Sequence, residues 1–380
     1  MRPLTAPPRD HLMYAEVSDL LTGSTVQVEF GADLLAADLT FREDISADLR
    51  GGSVDRNCNA TIHGTCRLEL SRKLVWGVDL VQPFMVLSDG GVSARWNLGV
   101  FALATPEHRA GETPVTYAVD GYDRLMLLGR QVGADYTVTS GTSYRTALLA
   151  VFAAAGLPGV TVEGSAADST LPATRTWSLV ASDESDPDQT NTPVTWLRIV
   201  NDLLRAINFQ AVWCDDNGIF RCQAYERPEV RPPEWVFDTD ELTSIVGEDR
   251  TEMADVWATP NRWVFRGTNF GTGVEGDGVY TVVNQSDGPT SVDGRGLTWT
   301  SVLDYEAAGQ SKLVDLGDRR VSLDRRVTAR LDVSTGPFPG AGHWDVFTFV
   351  DAVAGSRKVL ASGWRMPLDG GDVSWDWEQI

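Results

Sequence analysis

The sequence predicts a mainly β protein with an α+β insert, in which two similar antiparallel β-barrel modules flank a middle domain. The first observation behind this fold class is an internal repeat that relates the two ends of the chain. The second is the short spacing of glycine-rich turns between segments where polar and apolar residues alternate. The third is a stretch near residue 140 where the apolar period lengthens from two residues to about 3.6. Strands are therefore expected at both ends and helices between them.

The repeat relates residues 67–120 to residues 330–378. Four aligned pairs mark it: Arg67 with Arg330, Trp76 with Trp344, Gly99 with Gly363, and Val115 with Val373. The offsets between the paired positions are 263, 268, 264 and 258. Offsets that vary so little are expected when related modules differ only in loop length. Two unrelated β meanders also show alternating Val and Trp at such intervals, so this alternative stays open.

We expect four segments along the chain. Residues 1–13 form an N-terminal arm, and residues 14–122 form the first tube-like β-barrel. Residues 123–233 form the α+β middle domain. Residues 234–380 form the second tube-like β-barrel, with a long hairpin or loop at 267–296 that is rich in Gly, Asp and Ser.

Strands of the first barrel are predicted where polar and apolar side chains alternate, as at residues 25–30 and 66–70. Turns are predicted at the glycine pairs 51–52 and 90–91 and at residues 110–114. Turns at such short intervals are typical of antiparallel β structure.

Two amphipathic helices are predicted in the middle domain. Thr142 or Ser143 caps the first, which stops at Gly156. The second begins at Thr192-Pro193, a cap followed by a proline at the first helical position. Their apolar faces are Leu148, Val151, Phe152 and Ala155 in the first, and Leu197, Val200, Leu204 and Ile207 in the second.

Four cysteines occur as two pairs of equal spacing, Cys58 with Cys66 and Cys214 with Cys222. Seven intervening residues do not force two sulfurs together as the short knuckle of a zinc site does. The second pair lies in a predicted hairpin, where a two-residue Asn217-Gly218 turn places Trp213, rather than Cys214, opposite Cys222. We expect free thiols that pack as small apolar groups; a hairpin disulfide and a metal site are the alternatives.

The chain carries a formal net charge of −21. This charge argues against a surface that grips nucleic acid, because neutralising phosphates requires clustered Lys and Arg. An acidic wall would instead let DNA slide past without sticking, although solubility is the simpler meaning of the charge. No apolar run approaches membrane-spanning length and the N-terminus lacks a signal sequence, so we expect synthesis in a cytoplasm.

Motifs that carry chemistry are few. Residues 271–276 match G-x-G-x-x-G, but a strand is predicted at 279–283 where a dinucleotide site needs a helix. Residues 183–188 hold four carboxylates that could bind Ca²⁺, with a solvated acidic loop as the simpler interpretation. The histidines are scattered at His11, His63, His108 and His343. No catalytic, cofactor-binding or metal-ligating residue is predicted, and we expect a structural protein rather than an enzyme.

The order of these segments resembles the hub proteins of phage tail tips and baseplates. The residues that carry the resemblance are 67–70, 76–81, 99–103, the strand at 117–125 with its aromatic-Asp pattern, and 141–144 followed by a helix. The segments 235–238, 260–265 and 364–377 look like the second barrel of that family. The resemblance covers most of the chain and is one of pattern and order.

The resemblance implies a homotrimer in which two barrels per chain give six similar modules around a channel. It implies a minor structural protein of the virion, assembled in the host cytoplasm, that caps the tail tube and opens a path for genome ejection. The implied partners are the tail tube or distal tail protein, other tail-tip proteins and the tape measure protein. Sequence-specific nucleic-acid binding and stable membrane insertion are not implied, and no cofactor is expected.

Two alternative functions stay open. One is a distal tail protein, which resembles this chain in its tube-like β domain but usually carries a single such barrel. The other is a carbohydrate-binding or hydrolytic tail-tip protein that stacks sugars on some of its 13 tryptophans.

Overall fold

The structure is a computed structural model that describes most of residues 26–380. The residues outside this description are 1–25, 90–91, 109–115, 182–191, 240–245, 248–249, 255–256, 258, 269–277, 308, 327–328 and 353. The predicted N-terminal arm, the acidic segment 183–188 and the glycine-rich segment 271–276 therefore lie outside the described residues.

Eight strands, formed by the described residues between 27 and 123, make up the region that we name the first β unit. They arise where polar and apolar residues alternate, and in the strand at 64–70 every second side chain is buried. The strands are β1 (Gln27–Leu35), β2 (Phe41–Asp44), β3 (Leu49–Asn57), β4 (Gly64–Leu70), β5 (Leu80–Asp89), β6 (Val92–Asn97), β7 (Phe101–His108) and β8 (Tyr117–Asp123).

The middle region comes next, and its described residues form three α-helices and seven short strands. Its helices are α1 (Leu125–Leu128), α2 (Tyr144–Ala155) and α3 (Trp196–Ala206). Its strands are β9 (Tyr136–Val138), β10 (Val160–Val162), β11 (Arg175–Trp177), β12 (Val180–Ala181), β13 (Thr192–Pro193), β14 (Trp213–Cys214) and β15 (Phe220–Cys222).

Both predicted helices are present, and all eight residues of their predicted apolar faces are buried. The Ser143 side chain accepts a hydrogen bond from the Thr146 amide at the start of α2, and Gly156 ends it in the left-handed conformation. The predicted start of the second helix is wrong. Its cap is Thr195, because Thr192–Pro193 is extended and pairs with β12.

The predicted register of the β14–β15 hairpin is wrong by a single position. Trp213 lies opposite Arg221 rather than opposite Cys222. The loop has three residues instead of two, since the Asp215 amide donates to the Ile219 carbonyl and Gly218 has a φ of 76°. A glycine in the left-handed conformation after a tight turn adds one residue to the hairpin loop. The pairing of the two strands is therefore shifted by one position.

The chain then returns to β structure in the second β unit. Its strands are β16 (Trp235–Asp238), β17 (Thr251–Ala254), β21 (Ala329–Thr335), β22 (Val346–Asp351), β23 (Gly355–Pro367) and β24 (Val373–Gln379). Between β17 and β21 lies an inserted unit whose described residues form three strands and two helices. These are β18 (Arg262–Thr268), β19 (Val279–Val283), α4 (Val292–Arg295), β20 (Thr300–Glu306) and α5 (Gln310–Arg326).

The 17-residue helix α5 lies in a part of the chain for which the sequence predicts β structure. It packs on the β19-β18-β20 sheet through Leu313, Leu316 and Val321. Gly317 allows the close approach, because a Cβ there would lie 2.7 Å from ring atoms of Phe265 and Tyr280. Strands β18 and β19 pair antiparallel, and the connection between them, residues 269–277, lies outside the described residues, so the hairpin or loop expected at 267–296 stays a prediction.

The structure does not show two barrel modules, and this part of the predicted fold class is wrong. The strands of both β units instead lie in one 14-stranded sheet with the order β17-β21-β24-β23-β3-β4-β8-β7-β5-β1-β2 and three further strands paired beside it. The units become continuous because β3 pairs antiparallel with the second half of β23. They also share one hydrophobic core that contains residues of both. The mainly β class with an α+β insert is confirmed.

The two units repeat the same strand order within this sheet. The path β3-β4-β8-β7-β5-β1 in the first corresponds to β17-β21-β24-β23-β22-β16 in the second. One pairing differs in direction, since β1 is antiparallel to β5 whereas β16 is parallel to β22. The inserted unit occupies the place of the short turn between β3 and β4.

Strand register agrees with the sequence offsets of three of the four aligned pairs, although Val115 itself lies outside the described residues. Arg67 pairs with Asp120. The offset of the first aligned pair relates Arg67 to Arg330, and the offset of the last relates Asp120 to Glu378. Arg330 and Glu378 also pair with each other. Strand β5 pairs with β7 in the first unit, and β22 pairs with β23 in the second. The residue pairs in these two ladders correspond when β5 is aligned with β22 by the offset between Trp76 and Trp344.

The alignment of Gly99 with Gly363 is wrong. Phe101 at the start of β7 pairs with Val81, and Arg357 near the start of β23 pairs with Phe349, the counterpart of Val81. Gly363 therefore corresponds to Glu107 rather than to Gly99. The extra strand β6 between β5 and β7 accounts for the difference.

Candidate functional site

Arg56 of β3 is buried against the tip of the β14–β15 hairpin. Its guanidinium donates to the carbonyl of Cys214 at 3.1 Å and forms an ion pair with the Asp216 carboxylate at 3.2 Å. A cation is kept out of water only when such partners replace its hydration. These bonds therefore fix the hairpin to the first β unit.

Arg124, which follows β8, is fully buried beside the same hairpin. It donates to the carbonyls of Gly218 at 2.6 Å and Pro158 at 2.8 Å, and its guanidinium lies 4.7 Å from the centre of the Phe220 ring. Burial lowers the pKa of this guanidinium. One side chain thus joins the first β unit to two separate segments of the middle region.

Two amide side chains complete the attachment of the hairpin tip. Gln82 of β5 donates to the Asp216 carbonyl at 3.1 Å, and Asn97 of β6 donates to the Asn217 side-chain oxygen at 2.7 Å. Because the bonds from Gln82, Arg56 and Arg124 end on backbone carbonyls, they fix the position of the hairpin backbone. We name Arg56, Gln82, Asn97 and Arg124 the hairpin clamp.

The middle region also contacts the second β unit and the inserted unit. Arg231 donates to the Trp344 carbonyl at 2.8 Å, and Lys358 of β23 donates to the Glu229 carbonyl at 2.8 Å. From α5, Arg319 donates to the Phe209 carbonyl at 2.9 Å. All four parts of the molecule therefore meet around residues 208–231.

Two histidines that are far apart in the sequence meet at this junction. The ring centres of His63 and His343 are 4.7 Å apart, and Trp213 stacks on His343 at 4.7 Å with 15° between the ring planes. Burial, together with the charge of Arg56, lowers the pKa of His63 to about 4. His63 is therefore neutral at physiological pH and acts as a packing group. Sequence spacing gives no signal for this contact.

Asp123 lies buried at the end of β8, close to this stack. Its carboxyl accepts hydrogen bonds from the amides of Gly64 at 2.7 Å and Leu125 at 3.0 Å. Burial raises its pKa to about 6, and the amide hydrogen bonds and Arg56 offset part of that effect. The aromatic-Asp strand that carries the sequence resemblance thus ends on a side chain that holds the turn into α1.

A cavity of about 780 Å³ opens between the hairpin clamp and the loop before β22. This volume falls within the range of small-molecule sites, about 300–1,000 Å³. Trp96, Trp213 and Trp344 line it together with carboxylates that include Glu163 and Asp216. Its wall combines aromatic faces with hydrogen-bonding groups.

All four cysteines are buried free thiols, as expected. Burial raises the pKa of Cys58 and Cys222 to about 12 and that of Cys66 and Cys214 well above the ordinary value. Thiols with such pKa values are protonated at neutral pH, and they are poor nucleophiles and metal ligands. Among the described residues, no group of three or more His, Cys, Asp or Glu side chains is placed to hold a metal ion.

The remaining candidate residues are dispersed. His108 lies at the exposed end of β7 and stacks on Tyr117 at 5.1 Å, and His11 is outside the described residues. Eight of the 13 tryptophans are buried, which is the expected result for tryptophans of a β core. Trp257 and Trp299 are exposed and lie 6.3 Å apart. None of the described helices has the length and apolar character needed to cross a membrane.

No protein-family model matches the sequence, and no curated protein matches it. Solved structures do match. The tail protein from Neisseria meningitidis MC58 has a TM-score of 0.61 at 11% identity, covering 92% of this chain and 96% of that one. This chain has the fold of tail proteins. The 43 kDa tail protein of prophage MuSo2 from Shewanella oneidensis has a TM-score of 0.59 at 10% identity, covering 92% and 98%.

The tail-protein fold also occurs in a chain of the PdpA–VgrG complex from Francisella. That match has a TM-score of 0.54 at 7% identity and covers 97% of this chain but 61% of the other. The resemblance inferred from segment order is thus confirmed at the level of fold. Because both tail proteins are matched over nearly their whole length, the shared feature is the complete arrangement of β units and middle region.

Proposed function

We propose that this chain is a structural protein of a phage tail and serves as the hub at the tail tip or baseplate. The observation that carries the proposal is the extent of the match to tail proteins, 92% of this chain against 96% and 98% of the others. A likeness over the whole architecture supports a common architectural role better than a likeness confined to one domain would.

The repeated strand order supports a trimer. Each chain contains two units of similar order side by side in one sheet. Three such chains around a three-fold axis supply six similar units, which lets a three-fold hub match a six-fold tail tube. The same repeat favours a hub over a distal tail protein, for which a single such unit is expected.

The role we propose is mechanical rather than catalytic. In the ring, the hub would cap the tail tube, attach other tail-tip proteins, contact the tape measure protein and leave a channel for the genome. The net charge of −21 suits a channel wall, since carboxylates repel phosphates and DNA can slide without binding. The protein would be assembled in the host cytoplasm and remain in the virion at the tail tip.

The test is the mass of the purified protein by light scattering, combined with negative-stain imaging of the eluted species. We expect three times the chain mass of 41.4 kDa and an annular outline with a central hole. A compact monomer at every concentration, with no annular particles, contradicts the hub.

A second candidate function is carbohydrate binding, which the tryptophan-lined cavity favours. Sugars stack on aromatic faces and bond to neighbouring carboxylates, and Trp344 and Glu163 both line this cavity. Titration with cell-wall oligosaccharides followed by calorimetry tests it. Binding that Trp344→Ala abolishes supports this function, and the absence of heat with every oligosaccharide contradicts it.

A further inference from the structure

A small cavity lies between the middle region and the inserted unit, with walls from α3 and α5. Its volume of about 240 Å³ is below the range of small-molecule sites, about 300–1,000 Å³, so it suits an ion or a small charged group. Three arginines line it, Arg205 of α3 and Arg319 and Arg320 of α5. None of the described residues that line it is Asp or Glu. In a chain with a net charge of −21, this wall is locally positive.

The three arginines differ in how their charges are balanced. Arg320 forms an ion pair with Asp324 of the same helix at 2.9 Å, and the other oxygen of Asp324 accepts a hydrogen bond from Trp263. Arg205 is exposed, and its guanidinium has no hydrogen bond or ion pair to any other residue that the structure describes. The charge of Arg205 is therefore free to meet a ligand in the cavity.

Arg319 reaches from the inserted unit to the middle region. Its guanidinium donates to the Phe209 carbonyl at 2.9 Å and lies 4.2 Å from the centre of the Tyr225 ring. These contacts use few of its five N–H donors and supply no negative charge. Burial lowers the pKa of Arg319, and the charges of Arg326 and Arg205 lower it further. An anion in the cavity would relieve this repulsion between like charges.

Two neutral side chains add hydrogen-bond donors to the wall. The side-chain oxygen of Asn201 accepts from the Val212 amide at 3.0 Å, which leaves the amino group of Asn201 as a donor. Burial raises the pKa of Tyr305, so its hydroxyl keeps its proton at neutral pH. Leu316 and Leu323 supply apolar wall. Hydrogen bonds to an anion are stronger beside apolar groups that exclude water.

The number of donors decides between a carboxylate and a phosphate. One guanidinium already matches both oxygens of a carboxylate. Two arginines without a counter-charge and a third beside them match a group with more oxygens and more charge. A phosphate monoester carries a charge of about −1.5 to −2 at neutral pH and has three strong acceptor oxygens. The cavity therefore matches phosphate better than it matches a single acidic side chain.

We propose that the cavity binds a phosphate group, as inorganic phosphate or as part of a small phosphorylated molecule, and that the bound group bridges α3 and α5. The bridge fixes the inserted unit to the middle region through arginines whose charges otherwise repel each other. This inference goes beyond the proposed hub and holds whether or not the chain is one.

Isothermal titration calorimetry of the full chain tests the site, with sodium chloride used to keep the ionic strength constant. The probes are inorganic phosphate and glycerol 3-phosphate. We expect saturable binding at one site per chain, together with slower hydrogen exchange of the α5 amides. Binding of inorganic phosphate alone supports a site for the free ion, and equal or tighter binding of glycerol 3-phosphate supports a site for a phosphorylated molecule.

Arg205→Gln is the decisive variant, because Arg205 has no contact in the described structure whose loss would unfold the protein. We expect at least tenfold weaker phosphate binding, as the loss of one charge-assisted hydrogen bond predicts, and an unchanged melting temperature without phosphate. Arg198→Gln is the matched control. It makes the same change of charge about two turns earlier on α3, at a residue that does not line the cavity. It is expected to bind phosphate as the wild type does.

Three results would overturn the inference. The first is the absence of saturable binding of both probes to the wild type. The second is equal weakening by Arg205→Gln and Arg198→Gln, which would show that phosphate responds to net charge alone. The third is phosphate binding that leaves the hydrogen exchange of α5 unchanged, which would remove the bridge between the two helices.

Discussion

Replacing Arg124 by alanine tests the hairpin clamp at its most buried member. The change removes the donor to the Gly218 and Pro158 carbonyls, of which that of Gly218 lies in a buried site and that of Pro158 in a partly exposed one. Each hydrogen bond from a charged group contributes about 1.5–3 kcal/mol. The contact with the Phe220 ring adds about 1–2 kcal/mol in a desolvated site.

The cost of burying the guanidinium opposes these contributions. Burial lowers its pKa, so the folded protein holds the cation at a penalty that alanine relieves. Leaving the buried Gly218 carbonyl without a donor costs about 1–3 kcal/mol, so together with the lost ring contact the change nevertheless destabilises the protein by about 2–5 kcal/mol. We expect Arg124→Ala to lower the free energy of unfolding by that amount and Arg124→Lys, which can reach one carbonyl, by about half.

The assay is urea unfolding followed by tryptophan fluorescence, with hydrogen exchange to locate the change. Arg266→Ala is the control, because Arg266 pairs with Asp304 on the surface and such pairs contribute about 0–1 kcal/mol. Faster exchange of the Phe220 amide in Arg124→Ala would identify the hairpin as the part released. An unfolding curve for Arg124→Ala that coincides with that of Arg266→Ala refutes the role of the clamp.

Two further predictions concern buried packing. The pKa of His63 is lowered to about 4, so its contribution to stability is present above pH 6.5 and is lost as the pH falls towards 4. Between pH 7 and pH 5 the wild type should lose about 2 kcal/mol more than His63→Gln in urea unfolding; parallel losses contradict this. The raised pKa of Asp123 makes both proteins more stable as the pH falls. Its effect therefore cancels when the stability loss of His63→Gln is subtracted from that of the wild type. Gly317→Ala should lower the melting temperature despite better helix propensity, since its Cβ would overlap two rings at a cost of about 1–3 kcal/mol; an unchanged or higher value contradicts the close contact.

Elements whose stability is local could be predicted from the sequence. Helix α2 has its cap at Ser143, its stop at Gly156 and its apolar face within one short continuous segment, and all three are found. Helix α5 was missed because its sequence is highly charged and contains Gly317, which is unfavourable in an isolated helix. The glycine is explained only by the rings of Phe265 and Tyr280 that pack against it.

Features that depend on distant pairing could be predicted in part. The offsets of three aligned pairs, those that begin at Arg67, Trp76 and Val115, agree with the registers of the neighbouring described strands because side-chain patterns follow the ladder. The continuity of the sheet did not follow from them, since the pairing of β3 with β23 joins segments near opposite ends of the chain. The hairpin clamp was missed for the same reason, because Arg56 and Arg124 form bonds that no local pattern indicates.

The most direct test of the central claim is a cryo-electron microscopy map of the purified, assembled protein. The repeated β units and the proposed hub predict a three-fold ring of six similar units. A monomeric particle, or an oligomer without three-fold symmetry, would contradict it.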